Sequence, residues 1–387
     1  MDTGFLPGNR IQLLESGGEY FPALIEAIET AGKEVRLEAY IFEDDETGRS
    51  IGAAMANAAR RGVSVHVLVD GFGSRGFMQR LGAGLAANGI EVLIYGPNVS
   101  PLTLRRHRLR RMHRKLVSID GRIAFVGGIN VINDTDVPGL PPRYDYAVRI
   151  EGPLVAPIHA SMRHLWQLVS WARFRHRFGK ARRYPVTTDV RGEITAAFLI
   201  RDNLRHRRDI EEAYLDAIGT ARSEVLLANA YFLPGRRFRH ALMNAAQRGV
   251  KVSVLLQGQS DHPLLHNATQ ALYGALLSAG VRIFEYRKGF LHAKVAVIDG
   301  YWATVGSSNI DPFSLLLARE ANVVVNNADF AGALLASLHR AILLGAAEVR
   351  REDWGKKWLL VRVANWLAYT TVRLMIGLSG SGHNRQA

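Results

Sequence analysis

The sequence predicts an α/β protein built from two homologous lobes that share one active site. Three observations predict it. A polar motif occurs twice at one spacing, the segments before each copy repeat in the same order, and an early strand-helix-strand unit implies parallel pairing.

The first copy of the motif runs from His113 through Lys115 and Asp120 to Gly127, Gly128 and Asn130. The second runs from His292 through Lys294 and Asp299 to Gly306, Ser307 and Asn309. In both, one residue separates His from Lys, four separate Lys from Asp, and six separate Asp from the first Gly, with Asn three beyond that Gly. The β-branched runs at residues 116–119 and 295–298 read as buried strands. Alternation along a strand then puts His and Lys on one face, at one strand end.

Asp120-Gly121 and Asp299-Gly300 are hairpin-turn dipeptides, and residues 123–126 and 302–305 return as partner strands. Asp120 and Asp299 belong to the motif and so enter the catalytic set with His113, Lys115, His292 and Lys294. Standing at the far strand end, they read better as turn residues than as acids. The Gly-Gly or Gly-Ser pair lets backbone amides approach an anion. Lys115, Asn130, Lys294, Ser307 and Asn309 are accordingly the candidate phosphate-binding residues.

In chain order, residues 11–14 read as a short strand and 20–30 as a helix, with Phe21, Leu24, Ile25 and Ile28 at helical spacing. A strand at 35–42, an acidic loop at 43–46, a helix at 50–61 and strands at 63–69 and 89–95 follow. The order then recurs. Residues 27–35 match 217–225, 61–63 match 248–250, and 89–93 match 280–284. Such a repeat, with its motif at the same place in each copy, means two homologous lobes. Each lobe has its own site or supplies half of one. One His and one Lys bind a phosphate, but displacement at phosphorus also needs an acid or base for the incoming and outgoing oxygens. Two half-sites facing across a pseudo-dyad provide both, which favours a single shared site.

The lobes are expected at residues 1–172 and 193–349, joined by a linker at 173–192 rich in Arg, His and Lys. A basic run at 105–111, just upstream of His113, is either a solvated face or a collector of anionic head groups. The tail, 350–387, holds Trp354, Trp358 and Trp366 among Leu, Val and Ile, with Lys356, Lys357, Arg362 and Arg373. It reads either as an interfacial helix, with Arg362 and Arg373 on one side, or as a helix packed on the second lobe.

Composition narrows the chemistry. The chain has 387 residues, no cysteine, and 49 Lys plus Arg against 35 Asp plus Glu, a net charge of +14. No disulfide, thiolate metal site or thiol nucleophile is possible. The positive surplus suits a polyanion, either nucleic acid or an anionic membrane surface. Residues 1–10 lack the pattern of a signal peptide, and the uncharged run at 262–281 reads as a loop and a buried helix because of its His, Pro, Asn and Gln.

The doubled His-x-Lys-x4-Asp-x6-Gly-Gly/Ser-x-Asn pattern resembles the phospholipase D superfamily. Flanking segments add to it: Gly8 to Glu15, Arg111 to Lys115, Tyr144 to Pro153, Ala228 to Phe232 and Thr304 to Asn309 look like bacterial cardiolipin synthases, most like the shorter B-type. The resemblance covers nearly the whole chain. It implies α/β/α lobes with mixed sheets related by a pseudo-two-fold axis. It also implies phosphatidyl transfer from one phosphatidylglycerol to another through a phosphatidyl-histidine, without cofactor or metal. Under it, His113 is the nucleophile, His292 the acid and base, and Asp145 and Glu320 match acidic positions that orient the histidines. The implied setting is peripheral attachment to the inner membrane, with no membrane span and no nucleic acid partner. The rival readings are a phospholipase D-type hydrolase, a transphosphatidylase using another alcohol, a nuclease of the same superfamily and a catalytically dead membrane-binding protein, the last opposed by an intact motif.

Overall fold

Apolar, β-branched runs set the framework, and a computed structural model describes it over residues 4–96, 110–134, 141–172, 184–202, 205–259, 263–311, 318–355 and 359–380. The first half supplies β1 (Leu6–Glu15), β2 (Glu34–Ala39), β3 (Ser64–Asp70), β4 (Glu91–Tyr95), β5 (Arg111–Met112), β6 (Lys115–Ile119), β7 (Ile123–Gly127) and β8 (Tyr146–Glu151). The second supplies β9 (Ile194–Arg201), β10 (Glu224–Asn229), β11 (Lys251–Gln257), β12 (Arg282–Tyr286), β13 (Lys294–Ile298), β14 (Trp302–Gly306), β15 (Ala318–Asn326) and β16 (Ala346–Glu348).

These strands form one continuous mixed sheet. From the first edge the order is β4-β3-β2-β6-β7-β8-β1, and from the other, after β16, it is β12-β11-β10-β13-β14-β15-β9. The two halves therefore share one strand order and meet where β1 pairs antiparallel with β9. β2, β3 and β4 are parallel to one another, as are β10, β11 and β12, while β16 at the outer edge and the remaining sheet neighbours within each half pair antiparallel, as crossover helices and short hairpins respectively require. Asn9 helps fasten the seam: its amide donates to the Leu6 and Ile194 carbonyls at 2.7 and 3.2 Å, while its oxygen accepts the Leu154 N–H at 2.8 Å.

Helices cover both faces. Ser16–Glu29 and Glu46–Arg60 pack on one face of the first half, burying Leu24, Ile28, Ile51 and Met55. The second helix starts because the Asp45 carboxylate accepts the Gly48 N–H at 2.8 Å, and its chain reverses at Gly62, where φ is +89°. A central core draws on both halves: Val126, Tyr146 and Val148 meet Val295, Val305 and Val323, closed by helices Val155–Ala172 and Ala328–Gly345. Helices Asp209–Thr220 and Arg236–Gln247 cover the outer face of the second half. Among the described residues, Ala328–Gly345 is the one helix long and apolar enough to cross a membrane, yet its Phe330, Leu334 and Leu338 are buried in this core.

Several expected elements shift. The strand expected at 11–14 extends over Leu6–Glu15, because pairing with both β8 and β9 holds residues that have no alternation of their own. The acidic loop ends at Asp45, which caps the helix begun by Glu46. Residues 263–270 and 273–278 form two short helices. Of the expected linker, 173–183 lies outside the described residues. Residues 184–192 are not simply solvated, since the Thr187 N–H donates to Gly121 O at 3.0 Å and Arg191 N–H to Gly8 O at 2.8 Å. Residues 105–109 of the basic run also lie outside, while the Arg111 guanidinium sits 4.5 Å from the centroid of the Phe72 ring.

The tail behaves as a helix packed on the second half, with an exposed outer face. Trp354 is buried against Tyr273, at 5.1 Å between ring centroids, in line with the packed one of the two readings of the tail. Helix Leu359–Gly380 buries Asn365, Ala368 and Val372. Trp358 and the Arg362 side chain lie outside what is described.

Candidate active site

Strand alternation puts His and Lys of each motif together at the head of β6 and β13, and Lys294 pairs with Asn229, the last residue of β10. The two histidines are held crosswise. β5, which leads into His113, pairs in parallel with the start of β15, and the His113 N–H donates to Arg319 O at 3.0 Å. In the mirrored place, Tyr144 bridges Leu291, and the His292 N–H donates to Tyr144 O at 2.8 Å. The residue after each of these acceptors is acidic. His113 Nδ1 therefore lies 3.0 and 3.1 Å from the two Glu320 oxygens, and His292 Nδ1 lies 2.6 Å from Asp145 Oδ2. Each half orients the other half's histidine, leaving both Nε2 atoms for the pocket.

Both imidazoles are about one-seventh exposed, at 15% and 14%. The lysines are more deeply buried. Lys115 donates to His113 O at 2.6 Å and lies 5.3 Å from the Tyr40 ring centroid, while the Tyr40 and His113 rings meet edge to face at 4.7 Å. Lys294 donates to His292 O and approaches His292 Nδ1 at 2.7 Å and Asp145 at 3.5 Å. Burial and mutual repulsion bring Lys115 down to about 7, and burial brings Lys294 down to about 8. Burial, reinforced by Lys294, takes His292 to about 3, and burial also lowers His113. Burial opposes the Asp145 charge, yet Lys294 and His292 outweigh it and hold the carboxyl below its usual range. Such a pocket is short of negative charge. A phosphodiester there would restore the ammonium ions and meet donors on both sides.

The remaining candidates divide. Asn130 and Asn309 are buried beside the motif glycines, with Asn130 Oδ1 accepting the Ile41 N–H at 3.4 Å. The Ser307 hydroxyl donates to Glu320 at 2.6 Å and accepts the Ala321 N–H at 3.1 Å. Its counterpart is glycine for a steric reason, since a Cβ on Gly128 would collide with the Asp145 carboxylate. Asp120 and Asp299 stand away from the cluster at the other strand end. Both are left-handed turn residues, with φ of +54° and +50°. Asp120 accepts the N–H groups of Gly32, Lys33 and Glu34 at 2.7–2.8 Å, and Asp299 those of Arg222, Ser223 and Glu224 at 2.8–3.0 Å. They pin the loops that precede β2 and β10.

The motif reading missed Tyr40, Asp70 and Gln257. Asp70 ends β3 and accepts the Met112 N–H at 2.8 Å; Gln257 ends β11 and accepts the Leu291 N–H at 2.6 Å. Each thus fixes the residue immediately before a histidine. Their signal was present in the repeat, because both lie seven residues beyond the matched Val63 and Val250.

Comparison with known proteins agrees with this geometry. A family model described as cardiolipin synthase, phospholipase D-like domain, matches residues 24–166 and 214–342. The chain is 42% identical over 361 residues to cardiolipin synthase B of Salmonella typhi, covering 90% of this chain and 84% of that protein. It is 41% identical over 360 residues to cardiolipin synthase B of Escherichia coli K12, with the same coverage. Among solved structures, phosphatidylserine synthase of Haemophilus influenzae Rd KW20 superposes with a TM-score of 0.69 at 13% identity, over 94% of this chain and 93% of that one, which establishes the shared fold. A sheet of repeated strand order, a doubled motif at its centre and this extent of identity place the chain in the cardiolipin synthase family of phospholipase D-like proteins.

Proposed function

We propose that the protein transfers a phosphatidyl group from one phosphatidylglycerol to a glycerol hydroxyl of another, yielding cardiolipin and free glycerol. One observation carries the reading: each histidine is oriented by a carboxylate from the opposite half, so two His and two Lys converge on one site. Once the negative phosphodiester in the site offsets the repulsion from Lys294, His292 takes up a proton, and it donates that proton to the departing glycerol oxygen as His113 Nε2 attacks phosphorus, leaving a phosphatidyl-His113. His292 then takes the proton from a hydroxyl of the second lipid, whose oxygen displaces His113. Glu320 and Asp145 fix the tautomers and stabilise the positive rings. Lys115, Lys294, Asn130 and Asn309 face the non-bridging oxygens, where charge builds up. Ser307 acts through Glu320.

The nucleophile is assigned to His113 because Glu320 is itself held by Ser307, whereas Asp145 is shared with Lys294. The substrate places the enzyme on the anionic surface of the bacterial inner membrane, which its net charge of +14 suits. Labelled phosphatidylglycerol supplied alone in liposomes tests the reading. Cardiolipin and glycerol should form, and His113→Ala and His292→Ala should each remove about four orders of magnitude of turnover. Phosphatidic acid as the main product would make the enzyme a hydrolase, and oligonucleotide cleavage without lipid turnover would make it a nuclease.

A further inference from the structure

The C-terminal helix Leu359–Gly380 carries two apolar faces. Its inner face, Ala368 and Val372, packs into the core of the second half. Its outer face sets Val363, Trp366, Leu367 and Leu374 at helical spacing, each between 45% and 62% exposed. A surface helix normally turns polar groups outward, so a second apolar stripe indicates a second apolar contact.

The placement of this helix says what lies opposite. Asn365 Nδ2 donates to Gln270 Oε1 at 3.4 Å, on helix Pro263–Gln270, which follows the end of β11. Tyr369 lies 6.0 Å from the guanidinium of Arg239, in the first turn of the helix that follows β10. β10 ends at Asn229, paired with Lys294, and β11 ends at Gln257, bonded to the residue before His292. The helix therefore runs along the outer layer of the second half: Val363 and Trp366, near its start, border a cavity with Ser278 and Arg351 beside the start of β12, and its later turns run toward the strand ends that carry the active site. A second exposed apolar spot lies at those strand ends. Leu343 and Leu344 are 82% and 66% exposed beside Gly345, whose carbonyl accepts the Arg287 N–H at 2.7 Å just beyond the end of β12.

Exposed Arg236 and Lys288 follow the ends of β10 and β12, and exposed Arg373 lies on the helix itself, so the charge beside both apolar spots is complementary to an anionic surface. A stripe one helix wide falls short of the roughly 800 Å² per partner of a stable protein interface. Aromatic and aliphatic groups beside basic ones are what an interfacial helix presents to head groups and upper acyl chains. We propose that Trp366, Leu367 and Leu374, with Leu343 and Leu344, insert into an anionic lipid surface and hold the second half against the bilayer beside the active site. The inference rests on the reading of the substrate as a membrane phospholipid.

The test compares full-length protein with the Trp366→Glu/Leu367→Glu variant in co-sedimentation with vesicles of phosphatidylcholine, alone or mixed with phosphatidylglycerol. Activity is also followed on water-soluble short-chain phosphatidylglycerol. Wild-type protein should pellet preferentially with the mixed vesicles, and the variant should partition at least about tenfold more weakly. Its thermal melting and its short-chain turnover should match wild type. Equal partitioning of variant and wild type would overturn the proposal. So would failure of wild type to pellet, or a wild-type dimer in light scattering that the substitutions dissolve. Absence of short-chain turnover in wild-type protein would instead refute the phosphatidyl-transfer reading, whatever the vesicles show.

Discussion

The two half-sites share one backbone and differ in what surrounds it. Behind His113, β2 carries Glu34, Arg36 and Glu38, all buried; at the repeat-related places β10 carries Glu224, Leu226 and Ala228. Between His and Lys the first half has Arg114, which pairs with both Glu38 oxygens and donates to Ser161 Oγ at 2.9 Å, and the second half has Ala293. Ser118 meets His159 at 3.1 Å where the second half has Val297. An ionic layer thus underlies one histidine strand and an apolar layer the other. Duplication has preserved the groups aimed at the pocket and left their support free to change.

The largest effect expected from this inequality concerns the chemistry. If His292 is the acid, an ester whose leaving group needs no proton bypasses it. With a p-nitrophenyl phosphodiester, His292→Ala should keep a burst of p-nitrophenol near wild-type rate, while His113→Ala should lose it by about 10³-fold or more. A burst retained by His113→Ala and lost by His292→Ala would reverse the assignment and leave the geometry unaltered.

The support layers come next. Arg114→Ala leaves Glu38 buried without its partner, which costs about 3–5 kcal/mol of stability. Burial already pushes the Glu38 carboxyl up in the intact protein, against the pull of Arg114. The pair Glu38→Ala/Arg114→Ala, which copies the second half, should recover part of the loss. Denaturant unfolding of the three proteins measures this. A single variant as stable as wild type would show that the ionic layer is dispensable.

Much of this was legible in the sequence, and the limits have physical causes. The repeat, the His and Lys presentation and the turn role of Asp120 and Asp299 follow from spacing and alternation, which are local. The crossing of Glu320 to His113 and Asp145 to His292 is not local, since it depends on β5 lying beside β15 and Tyr144 beside Leu291. The ionic layer was not read because its partners are not local: helix Val155–Ala172 brings His159 to Glu34 and Ser161 to Arg114. The tail left two readings open because Trp and basic residues suit an interface as well as a packed helix, and Trp354 turns inward to Tyr273.

Exchanging the motif residues that differ should have unequal results. Ser307→Gly removes one hydroxyl from Glu320, a loss of about 1 kcal/mol or roughly fivefold in turnover. Gly128→Ser drives a side chain into Asp145 and should cost much more, lowering turnover by displacing His292. Steady-state rates of the two variants decide it. Equal losses would mean that the Asp145 loop yields to the added atoms.

The smallest effect, read in the position of the pH limb, lies at the paired supports Asp70 and Gln257. Lys115 and Lys294, at about 7 and 8, have folded values below the 10.5 of a free lysine, so between these values the folded chain binds fewer protons than the unfolded one. Stability therefore rises with pH across that window, while kcat/KM for an anionic substrate, which needs the ammonium forms, falls. Asp70 is among the groups that raise the Lys115 value. Asp70→Asn removes the charge and, with its oxygen kept for the Met112 N–H, turns its amide nitrogen toward the Phe72 and Gly73 N–H groups that Oδ1 accepts at 2.9 and 3.0 Å. The rate falls somewhat at every pH, and in addition Lys115 drops further and the alkaline limb moves to lower pH, by less than about one unit. Gln257→Glu adds a charge to the other half and should move the limb upward. A uniform loss at every pH in Asp70→Asn, with no movement of the limb, would assign Asp70 to backbone positioning alone and make the two supports equivalent despite their different chemistry.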